Sequence, residues 1–391
     1  MVNSATPLKV WMVCGEESGD QLGAGLAAAL KLRLGSNGVA FGGVGGERLA
    51  REGLQSLFPL SDIAVMGFIA PVMRLPTLIR RVYQTVNAIV AARPDVLVII
   101  DSPDFTHAVA KRVRKRLPEL PIVDYVSPSV WAWRPGRARK MAAYVDHLLA
   151  LLPFEPEAHR RLGGPACTYV GHRLIEKLPL LRGDRQLDHP LASPPRLLVL
   201  PGSRRSEISR LLNVFGETLG QLHDRGLHFD LTLPAVSHLE NEIRAGVARW
   251  KTPPQIVAGE AAKFHAFQQA DAALAASGTV TLELALAGVP MVVAYRVSDI
   301  ESAILRRLIT AQSAVLANLI LGENAIPEFI QQDCTVDNLS AALTPLLSDT
   351  PVRRAQIAAL AEVEARMTTG GETPSERAAG IVLDVAMRGR G

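Results

Sequence analysis

Short turns between predicted strands and helices carry most of the residues in this chain that could do chemistry. One apolar strand, Ala272–Ala275, leads into Ser277-Gly278-Thr279, and a helix carrying Glu283 follows and ends at Gly288. Gly278 permits close approach of the backbone, the two hydroxyls can donate to an oxyanion, and a helix N-terminus favours negative charge. Glu283, one turn inside the helix, can accept from a ribose hydroxyl. The stretch fits either a nucleotide diphosphate site or an ordinary capped helix in a parallel sheet.

A second turn of this kind follows the predicted strand Arg196–Leu200. It reads Pro201-Gly202-Ser203-Arg204-Arg205 and opens a helix, so it combines a glycine, a hydroxyl and two guanidinium groups that suit a diphosphate. The turn after the strand Lys9–Cys14 differs, because Gly15-Glu16-Glu17-Ser18-Gly19-Asp20 holds three acids that would repel phosphate. We interpret this acidic turn, with its Ser18 hydroxyl, as facing sugar hydroxyls or a second domain.

A further turn supplies two carboxylates. Val96–Ile100 is a continuous apolar strand, typical of a parallel sheet covered on both faces, and it delivers Asp101-Ser102-Pro103-Asp104. Ligands of open α/β sheets bind outside the carboxyl ends of the strands, so a carboxylate here can act as general base toward a hydroxyl. The structural alternative is that Asp104 caps the next helix and Asp101 braces a loop. The sequence offers no Asp-X-Asp pair or metal-spaced cluster, which predicts chemistry without a metal.

Two other segments combine apolar or aromatic residues with arginines. The loop after the predicted strand Ile122–Val126 holds Trp131, Trp133 and Arg134, whose rings can stack on sugars or acyl chains while arginine suits phosphate. The segment Leu60–Val82 crowds apolar residues between arginines, which fits either a buried loop and helix or an apolar patch with a basic rim that meets a membrane or acyl chains. The patch includes Met66, Phe68 and Arg74.

Composition excludes several classes of protein. The chain has 391 residues, 48% hydrophobic and 20% charged, which is typical of a globular protein. A formal net charge of +4 is too weak to indicate nucleic-acid binding. Three scattered cysteines predict neither a disulfide nor a zinc site and favour a reducing cytoplasm. The N-terminus lacks a signal-peptide pattern, and the longest apolar run, Ala64–Met73, is about half of a membrane span.

Strand and helix alternate in each half, which predicts an α/β chain of two Rossmann-like, doubly wound domains facing a cleft. We predict an N-terminal domain over residues 1–175, a linker rich in proline and charge over 176–195, and a second domain over 196–345. Residues 346–391 are predicted to be helices that pack back on the N-terminal domain or on a partner subunit.

Together these stretches resemble one family closely: lipid-A-disaccharide synthase, an inverting glycosyltransferase of the two-Rossmann GT-B architecture. The decapeptide Tyr125–Arg134 is the most specific match, since Ser-Gly-Thr followed by a glutamate indicates only a nucleotide-sugar enzyme. The other matches keep the family's order along the chain. They are Gly15–Asp20, Val65–Phe68, Asp101–Phe105, Leu152–Glu155, Gly171-His172, Leu200–Arg204, Ser277–Glu283, Pro290–Val293 and Pro327-Glu328.

The resemblance implies a reaction and its place. UDP-2,3-diacylglucosamine would be joined to 2,3-diacylglucosamine 1-phosphate, giving the β-1,6-linked lipid A disaccharide 1-phosphate and UDP. The protein would be cytoplasmic and peripherally associated with the inner membrane. The UDP-sugar is then a substrate, and no cofactor is expected. A homodimer formed by swapping of C-terminal segments is also implied.

The resemblance also implies roles for single residues. Asp101 resembles the base that takes the proton from the acceptor's 6-hydroxyl, although the residues alone leave Asp104 as an alternative. Glu283 resembles the ribose ligand, and Asn318 would line the nucleotide site from a partner subunit. The diphosphate clamp would comprise Gly202, Ser203, Arg204, Ser277, Gly278 and Thr279. We assign the acceptor and its acyl chains to Ser18, Met66, Phe68, Arg74, Asp104, Trp131, Trp133 and Arg134.

The chain departs from the family pattern at Thr106, where asparagine is expected, and at Glu17 and Arg173. The difference at Thr106 affects the geometry expected beside Asp101, and it leaves the resemblance to the family unchanged. Two rival interpretations remain. Another two-Rossmann enzyme, such as a UDP-GlcNAc 2-epimerase, needs no acyl-binding surface, and a non-catalytic nucleotide- or lipid-binding protein needs no base.

Overall fold

The computed structural model describes residues 6–63, 70–187, 189–298, 301 and 312–388. The chain forms two compact units. The first unit comprises Met1–His172 with Thr369–Gly391, and the second unit comprises Arg173–Thr368.

A seven-stranded parallel sheet forms the centre of the first unit, with the strand order β3-β2-β1-β4-β5-β6-β7. Every residue of β4 is buried, because helices cover both faces of the sheet. In the register, Cys14 pairs with Ile100, so β1 and β4 end at the same edge. The strands are β1 Leu8–Cys14, β2 Val39–Val44, β3 Gln55–Ser56, β4 Val96–Ile100, β5 Ile122–Tyr125, β6 His147–Ala150 and β7 Ala166–Tyr169.

Helices connect successive strands, as a parallel sheet requires. Helix α4 begins with Pro103 in its first turn, where the missing N–H of proline costs nothing, and ends in a run of basic residues that suits its C-terminus. The helices are α1 Glu17–Leu34, α2 Glu47–Arg51, α3 Ala70–Ala92, α4 Pro103–Arg116, α5 Gly136–Met141 and α6 Glu155–Leu162.

The second unit repeats this plan with six parallel strands in the order β10-β9-β8-β11-β12-β13. Ala275 pairs with Leu200, so β11 and β8 also end at a common edge. The strands are β8 Arg196–Leu200, β9 Asp230–Ala235, β10 Gln255–Ala258, β11 Ala272–Ala276, β12 Met291–Tyr295 and β13 Glu328–Ile330. The described helices are α7 Leu178–Arg182, α8 Arg205–Asp224, α9 Glu240–Val247, α10 Glu260–Gln269, α11 Thr279–Ala287, α12 Leu316–Leu321, α13 Val336–Leu343 and α14 Pro351–Met367.

Both sheets therefore have the doubly wound order, in which the chain reverses its direction across the sheet at one point. In the first unit this switch point lies between β1 and β4, and in the second between β8 and β11. Ligands of such sheets bind outside the carboxyl ends of the two strands at the switch point. All four chemically informative turns of the sequence lie at these two positions. The predicted fold class, two Rossmann-like α/β domains, is confirmed.

The last helix, α15 Pro374–Arg388, packs on α1 in the first unit. Leu22, Leu26 and Leu30 of α1 share a buried cluster with Ala378 and Val382 of α15. The sequence left open whether the C-terminal helices pack on the first half or on a partner, and in this chain α15 covers α1. Helix α14, which the sequence grouped with α15, belongs to the second unit.

The segment 176–195, predicted as a linker, lies in the second unit. It contains α7, which packs against α10 and α11. Arg182 donates to the carbonyl of Leu286 at 2.8 Å, and Arg185 donates to the carbonyl of Phe267 at 3.1 Å. Proline and charge resemble a linker in sequence, but here the arginines attach the segment to helix ends. Across the described residues, no helix is both long and apolar enough to cross a membrane.

Candidate functional site

A pocket of about 570 Å³ opens at the switch point of the second unit. Its walls come from the ends of β8, β9 and β11 and from the first turns of α8, α10 and α11. The pocket contains the predicted clamp residues and Glu283 together. The residues that line it are Leu200, Gly202–Arg204, Glu207, Pro234–Ser237, Gly259, Glu260, Lys263, Ala276–Val280 and Glu283.

The loop before α8 presents Arg204 to this pocket. Glu207, in the first turn of α8, accepts hydrogen bonds from the N–H groups of Ser203 at 3.0 Å and Arg204 at 3.2 Å. One guanidinium nitrogen of Arg204 also donates to Glu207 at 2.9 Å, while the Arg204 side chain is 77% exposed. Gly202 has φ of +117°, and a Cβ there would overlap the Glu207 side chain. Glu207 thus orders the loop and leaves most of the Arg204 guanidinium open to an anion.

The turn before α11 forms the second anion-binding part of the pocket. Gly278 has φ of +155°, and a Cβ built on it would meet no atom within 4 Å, because this backbone faces open space. The hydroxyl of Thr281 donates to the carbonyl of Gly278 at 2.8 Å, and that of Ser277 donates to the carbonyl of Ala314 at 2.7 Å. The N–H groups of Thr279 and Val280 come before any acceptor of α11 itself, whereas the N–H of Thr281 donates to the carbonyl of Gly278 at 3.1 Å. The first two N–H groups and the helix dipole favour an anion beside Gly278.

Glu283 lies one turn further along α11. Both of its carboxylate oxygens accept from Nζ of Lys263 on α10, at 3.1 Å for Oε1 and 2.9 Å for Oε2. The sequence analysis did not single out Lys263, which stands 20 residues earlier, and only the pairing of α10 with α11 brings the two together. The pocket thus combines two anion-binding turns and the Arg204 guanidinium, which suit a diphosphate, with the Glu283 carboxylate, which suits sugar hydroxyls.

The switch point of the first unit is built around Asp101. Its Oδ2 accepts from the hydroxyl of Ser18 at 2.8 Å, and its Oδ1 accepts from the N–H of Ser102 at 2.7 Å. Asp101 and Ser102 have φ of +56° and +45°, which is uncommon for residues other than glycine. The buried hydroxyl of Thr106 donates to the carbonyls of Asp101 at 2.7 Å and Ser102 at 3.1 Å. Threonine at position 106 therefore holds the strained turn.

The acidic turn after β1 must pass close to the Asp101 turn. A Cβ at Gly15 would overlap the side chain of Ser102, so only glycine fits. Asp20, which the sequence analysis counted as one of three acids in this turn, is buried. Its carboxylate accepts from the N–H groups of Gly46 at 2.7 Å, Arg48 at 3.0 Å and Leu49 at 3.2 Å. Asp20 therefore caps the N-terminus of α2 and is a structural residue.

Asp104 differs from Asp101 in its exposure to solvent and in the number of donors that hold its carboxylate. Its side chain is 92% exposed in the first turn of α4, and its carboxylate meets Arg137 at 3.5 Å. The carboxylate of Asp101 is part-buried and fixed by two donors, whereas that of Asp104 is solvated. Of the two acids, only Asp101 is held in one orientation.

The loop that carries the two tryptophans is anchored by a buried acid. Trp131 donates through Nε1 to Glu155 at 3.1 Å and packs edge-on against Phe154. The other Glu155 oxygen accepts from the N–H groups of Leu151 at 3.1 Å and Leu152 at 3.0 Å. Burial raises the pKa of Glu155 to about 7, although these hydrogen bonds act against the shift. The family-like segments Tyr125–Arg134 and Leu152–Glu155 are thus one structural unit.

Trp133 and Arg134 form the exposed part of the same loop. The Arg134 guanidinium lies 4.2 Å from the centre of the Trp133 ring, in a cation–π arrangement. Trp131 is an anchor, whereas Trp133 presents an aromatic face and a cation to solvent.

A buried polar cluster fixes α4 against the sheet. His107 contacts Asp124 of β5 through Nε2 at 3.1 Å and the hydroxyl of Tyr144 through Nδ1 at 2.9 Å. Burial raises the pKa of Asp124, and His107 partly opposes this shift. Burial also raises the pKa of Tyr144 to about 12. The cluster holds the helix that begins just after Asp101, and the sequence analysis did not find it.

The predicted apolar patch is described only in part. Met66 and Phe68 lie outside the described residues, as does the side chain of Arg74. Leu75, Ile79 and Tyr83 recur every four residues on α3, and each is about half exposed. They form an exposed apolar stripe, beside which the guanidinium of Arg112 on α4 lies 5.2 Å from the centre of the Tyr83 ring.

Asn318 lies in α12 and is buried. Its Oδ1 accepts from the N–H of Ile326 at 2.9 Å, and its Nδ2 donates to the carbonyl of Ile326 at 2.9 Å. Within this chain Asn318 braces a loop and does not line the pocket. Its contact with a nucleotide across a subunit interface stays a prediction. Among the described residues, no group of three or more His, Cys, Asp or Glu side chains is arranged to hold a metal ion.

Two parallel-sheet α/β units, each with candidate site residues at its switch point, define the GT-B class of fold. Solved structures agree over nearly the whole chain. The S. aureus MnaA–UDP co-structure has a TM-score of 0.59 and 13% identity, with 97% of each chain covered. Acinetobacter baumannii MurG has a TM-score of 0.58 and 14% identity, covering 97% of this chain and 100% of that one.

The family follows from sequence. A family model described as lipid-A-disaccharide synthetase matches residues 10–382. The lipid-A-disaccharide synthase of Nitrobacter hamburgensis is 57% identical over 384 residues, 98% of this chain and 97% of that protein. That of Bradyrhizobium diazoefficiens is 56% identical over 383 residues, again 98% and 97%. The chain belongs to the lipid-A-disaccharide synthase family, glycosyltransferases of lipid A biosynthesis.

Proposed function

We propose that this glycosyltransferase joins UDP-2,3-diacylglucosamine to 2,3-diacylglucosamine 1-phosphate. The products are the β-1,6-linked lipid A disaccharide 1-phosphate and UDP. The observation that carries the proposal is the pocket of the second unit. It brings a flexible glycine backbone, Arg204, a helix N-terminus and Glu283 into one wall, in a chain that belongs to this family.

The second unit binds the UDP part of the donor. The diphosphate lies against Gly202–Arg204 and the N-terminus of α11, and Glu283 accepts from the ribose. When the bond between the sugar C1 and the diphosphate oxygen breaks, that oxygen gains negative charge. The Arg204 guanidinium and the first N–H groups of α11 stabilise this charge, which is the usual source of catalysis in such sites.

Asp101 is the proposed general base. The 6-hydroxyl of the acceptor attacks C1 of the donor, Asp101 takes the hydroxyl proton, and UDP leaves with the electron pair of the broken bond. Direct displacement of this kind inverts the configuration at C1. Each Asp101 oxygen accepts one hydrogen bond within the protein, so lone pairs remain for the hydroxyl. Its fixed orientation favours Asp101 over the solvated Asp104.

We propose that the reaction needs no metal ion. The cations and dipoles of the pocket are of the kind that neutralises a departing diphosphate. Activity should therefore survive an excess of EDTA. Loss of activity that magnesium restores would contradict this part of the proposal.

Because both proposed substrates carry acyl chains, we propose that the enzyme acts at the cytoplasmic face of the inner membrane. The stripe of Leu75, Ile79 and Tyr83 supports this part of the proposal, because exposed apolar side chains beside cations suit an anionic lipid surface. Trp133 and Arg134 offer the acceptor a stacking face and a cation for its phosphate.

The test is turnover with both acylated substrates, following UDP release and the mass of the product. The proposal predicts a disaccharide 1-phosphate formed in equal amount to UDP. UDP without disaccharide would return the protein to a general UDP-sugar enzyme. Turnover of water-soluble UDP-GlcNAc to an epimer would instead favour the 2-epimerase alternative. Glucosamine 1-phosphate, which keeps the sugar and phosphate of the acceptor but lacks its acyl chains, is the matched control for acceptor choice.

A further inference from the structure

The loop that carries the two tryptophans, residues 127–134, ends in an exposed pair, Trp133 and Arg134, and is tied to a buried acid through Trp131. We propose that Trp131 and Glu155 are positioning residues, which hold the Arg134 guanidinium where it binds the 1-phosphate of the acceptor and thereby make the enzyme prefer a phosphorylated acceptor. This inference rests on the proposed function, in which Arg134 binds that phosphate. It deepens that function by naming what orients the guanidinium.

Arg134 has its guanidinium available for an anion. The residue is exposed, and the guanidinium lies 4.2 Å from the centre of the Trp133 ring. Across the described part of the chain, no acidic side chain forms an ion pair with Arg134, whereas the nearby Arg137 meets the carboxylate of Asp104 at 3.5 Å. A guanidinium that lies over an aromatic ring still has N–H groups at its edge, and two of these can donate to one phosphate.

The backbone is strained at both ends of the loop. Val126, just before it, has φ of +94°, and Arg134 has φ of +53°. Residues other than glycine rarely adopt such values, and the β-branched valine least of all. The N–H of Val126 donates to the carbonyl of Leu149 at 3.1 Å, which fixes the first of the two positions. A strained backbone persists only where surrounding contacts hold it, so the position of Arg134 also needs an anchor.

Trp131, three residues before Arg134, supplies such an anchor. Its Nε1 donates to Oε1 of Glu155 at 3.1 Å, and Glu155 is only 3% exposed. The other oxygen of Glu155 accepts from the N–H groups of Leu151 at 3.1 Å and Leu152 at 3.0 Å, directly after β6. The carboxylate is therefore fixed to the backbone at the end of a strand by one oxygen, and it holds the loop by the other.

The same helix, α6, also holds the start of the loop. Nε2 of His159 lies 2.8 Å from the hydroxyl oxygen of Ser127, and both side chains are buried. Without the hydrogen bond from Trp131, the strained backbone of Arg134 can relax. The guanidinium then has to be ordered when it binds the phosphate, and this entropic cost weakens binding.

The test compares two variants that break the anchor. Trp131→Phe keeps a ring against Phe154 but has no N–H, and Glu155→Gln has one carbonyl oxygen and cannot accept on both sides. Assays are run at about pH 8.5, above the pKa of about 7 to which burial raises Glu155, so that its carboxylate is ionised. Thermal unfolding establishes that each variant is folded, and either of the two suffices for the test.

The expected effect is confined to the acceptor. In both anchor variants the KM for the 1-phosphate acceptor should rise about tenfold, the loss of roughly one hydrogen bond to a charged group, while the KM for the donor changes less than twofold. As a competitive inhibitor, 2,3-diacylglucosamine without the phosphate should keep its inhibition constant within about twofold. Glu157→Gln, on the exposed side of the same helix, should match the wild type.

Arg134→Met shows whether Trp131 acts through Arg134. Alone, this substitution should raise the acceptor KM about tenfold or more, because it removes the charged contact itself. Adding Trp131→Phe to it should change the KM less than twofold further, because the two substitutions then remove the same interaction.

Three results would overturn this inference while formation of the disaccharide stands. One is an acceptor KM equal to that of the wild type in both anchor variants. Another is an equal weakening of the acceptor and 2,3-diacylglucosamine, or of acceptor and donor, which gives the anchor a structural role only. The third is an undiminished effect of Trp131→Phe in the Arg134→Met background. If the wild type forms no disaccharide, the proposed function itself fails, and this inference fails with it.

Discussion

The two switch points of this chain use the same strand order and opposite chemistry. In the second unit, glycines with positive φ leave the backbone open, and the pocket joins an arginine and a lysine to a helix N-terminus. In the first unit, the positive φ values belong to Asp101 and Ser102, and both carboxylate oxygens of Asp101 accept hydrogen bonds within the protein. One edge is open and suited to an anion, and the other is closed and presents a fixed carboxylate.

The difference fits the two roles that we propose for the switch points, binding in the second unit and proton transfer in the first. A ligand that is held by its phosphates needs approachable N–H groups, which glycine supplies. A base that must take a proton in one direction needs a fixed oxygen, which the strained turn supplies and the surrounding contacts stabilise. Three substitutions test this contrast, and a fourth tests the buried acid that anchors the tryptophan loop of the first unit.

The largest effect is expected at the fixed carboxylate. Asp101→Asn keeps the shape of the side chain but cannot accept a proton, so kcat should fall by roughly 10²- to 10⁴-fold with a small change in KM. Asp104→Asn is the matched control, three residues away and solvated, and should stay within about threefold of wild type. Steady-state kinetics on both variants decides between them. A larger loss in Asp104→Asn would move the base to that residue.

The second effect concerns the buried acid that holds the tryptophan loop. Because burial raises the pKa of Glu155 to about 7, the folded protein keeps a proton that the unfolded chain releases above its ordinary pKa. The contribution of Glu155 to the free energy of unfolding is therefore fully present below its ordinary pKa, and it is lost as the pH rises through about 7. Relative to wild type, Glu155→Gln should therefore gain roughly 3 kcal/mol in free energy of unfolding between pH 4.5 and 7.

Urea unfolding at several pH values measures this difference. His159, whose pKa burial lowers to about 4, has the opposite slope in both proteins and cancels when they are compared. Glu157→Gln, on the exposed side of the same helix, is the control and should show little dependence on pH. A constant difference between Glu155→Gln and wild type across this range would mean that Glu155 is already ionised in the folded protein.

The third effect concerns the Gly278 turn, at the switch point of the second unit. Gly278→Ala places a Cβ at φ of +155° beside the diphosphate position, and the strain and crowding should raise the KM for donor about tenfold. Gly226→Ala also places a side chain at positive φ, +82°, but outside the pocket, and should lower stability without changing KM. Donor kinetics and thermal unfolding on both variants separate the two causes. Equal KM values in both variants would mean that the backbone of Gly278 does not approach the donor.

The smallest effect is expected from the hydrogen bonds that hold the Asp101 turn in the first unit. Thr106→Val removes the hydroxyl that donates to the carbonyls of Asp101 and Ser102, which should lower the free energy of unfolding by about 1–2 kcal/mol. The turn should relax, and kcat should fall a few-fold. Thr106→Ser should restore both. If Thr106→Val loses stability but not kcat, the hydroxyl supports the fold alone.

The sequence was sufficient to predict the fold class and the positions of the site turns, for a local reason. Strand, turn and helix are recognisable within about twenty residues, and the doubly wound order then places the turns after β1, β4, β8 and β11 at two switch points. Gly278 and Arg204 could be found in this way, because their types and spacing already describe an anion site.

The remaining features depend on contacts between distant residues. Asp20 caps a helix 26 or more residues away, so in sequence it was one acid among three. Lys263 and Glu283 meet only because α10 packs beside α11. The positive φ of Asp101 and Ser102 could not be predicted, because these residues rarely adopt it. Gly15, in the turn after β1, leaves the room that the Ser102 side chain needs. Segment 176–195 shows the same limit, since its composition suggested a linker.

The packing of α15 on α1 has a consequence for how the chain is made. The first unit leaves the ribosome first, yet its last helix is among the final residues to be synthesised. Until Pro374–Arg388 emerges, the face of α1 on which α15 packs lacks this cover. The second unit is continuous and can complete its core earlier. The unit that is synthesised first is therefore the last to complete its fold. Until the last helix is synthesised, this unit is the part of the chain that most needs protection from aggregation.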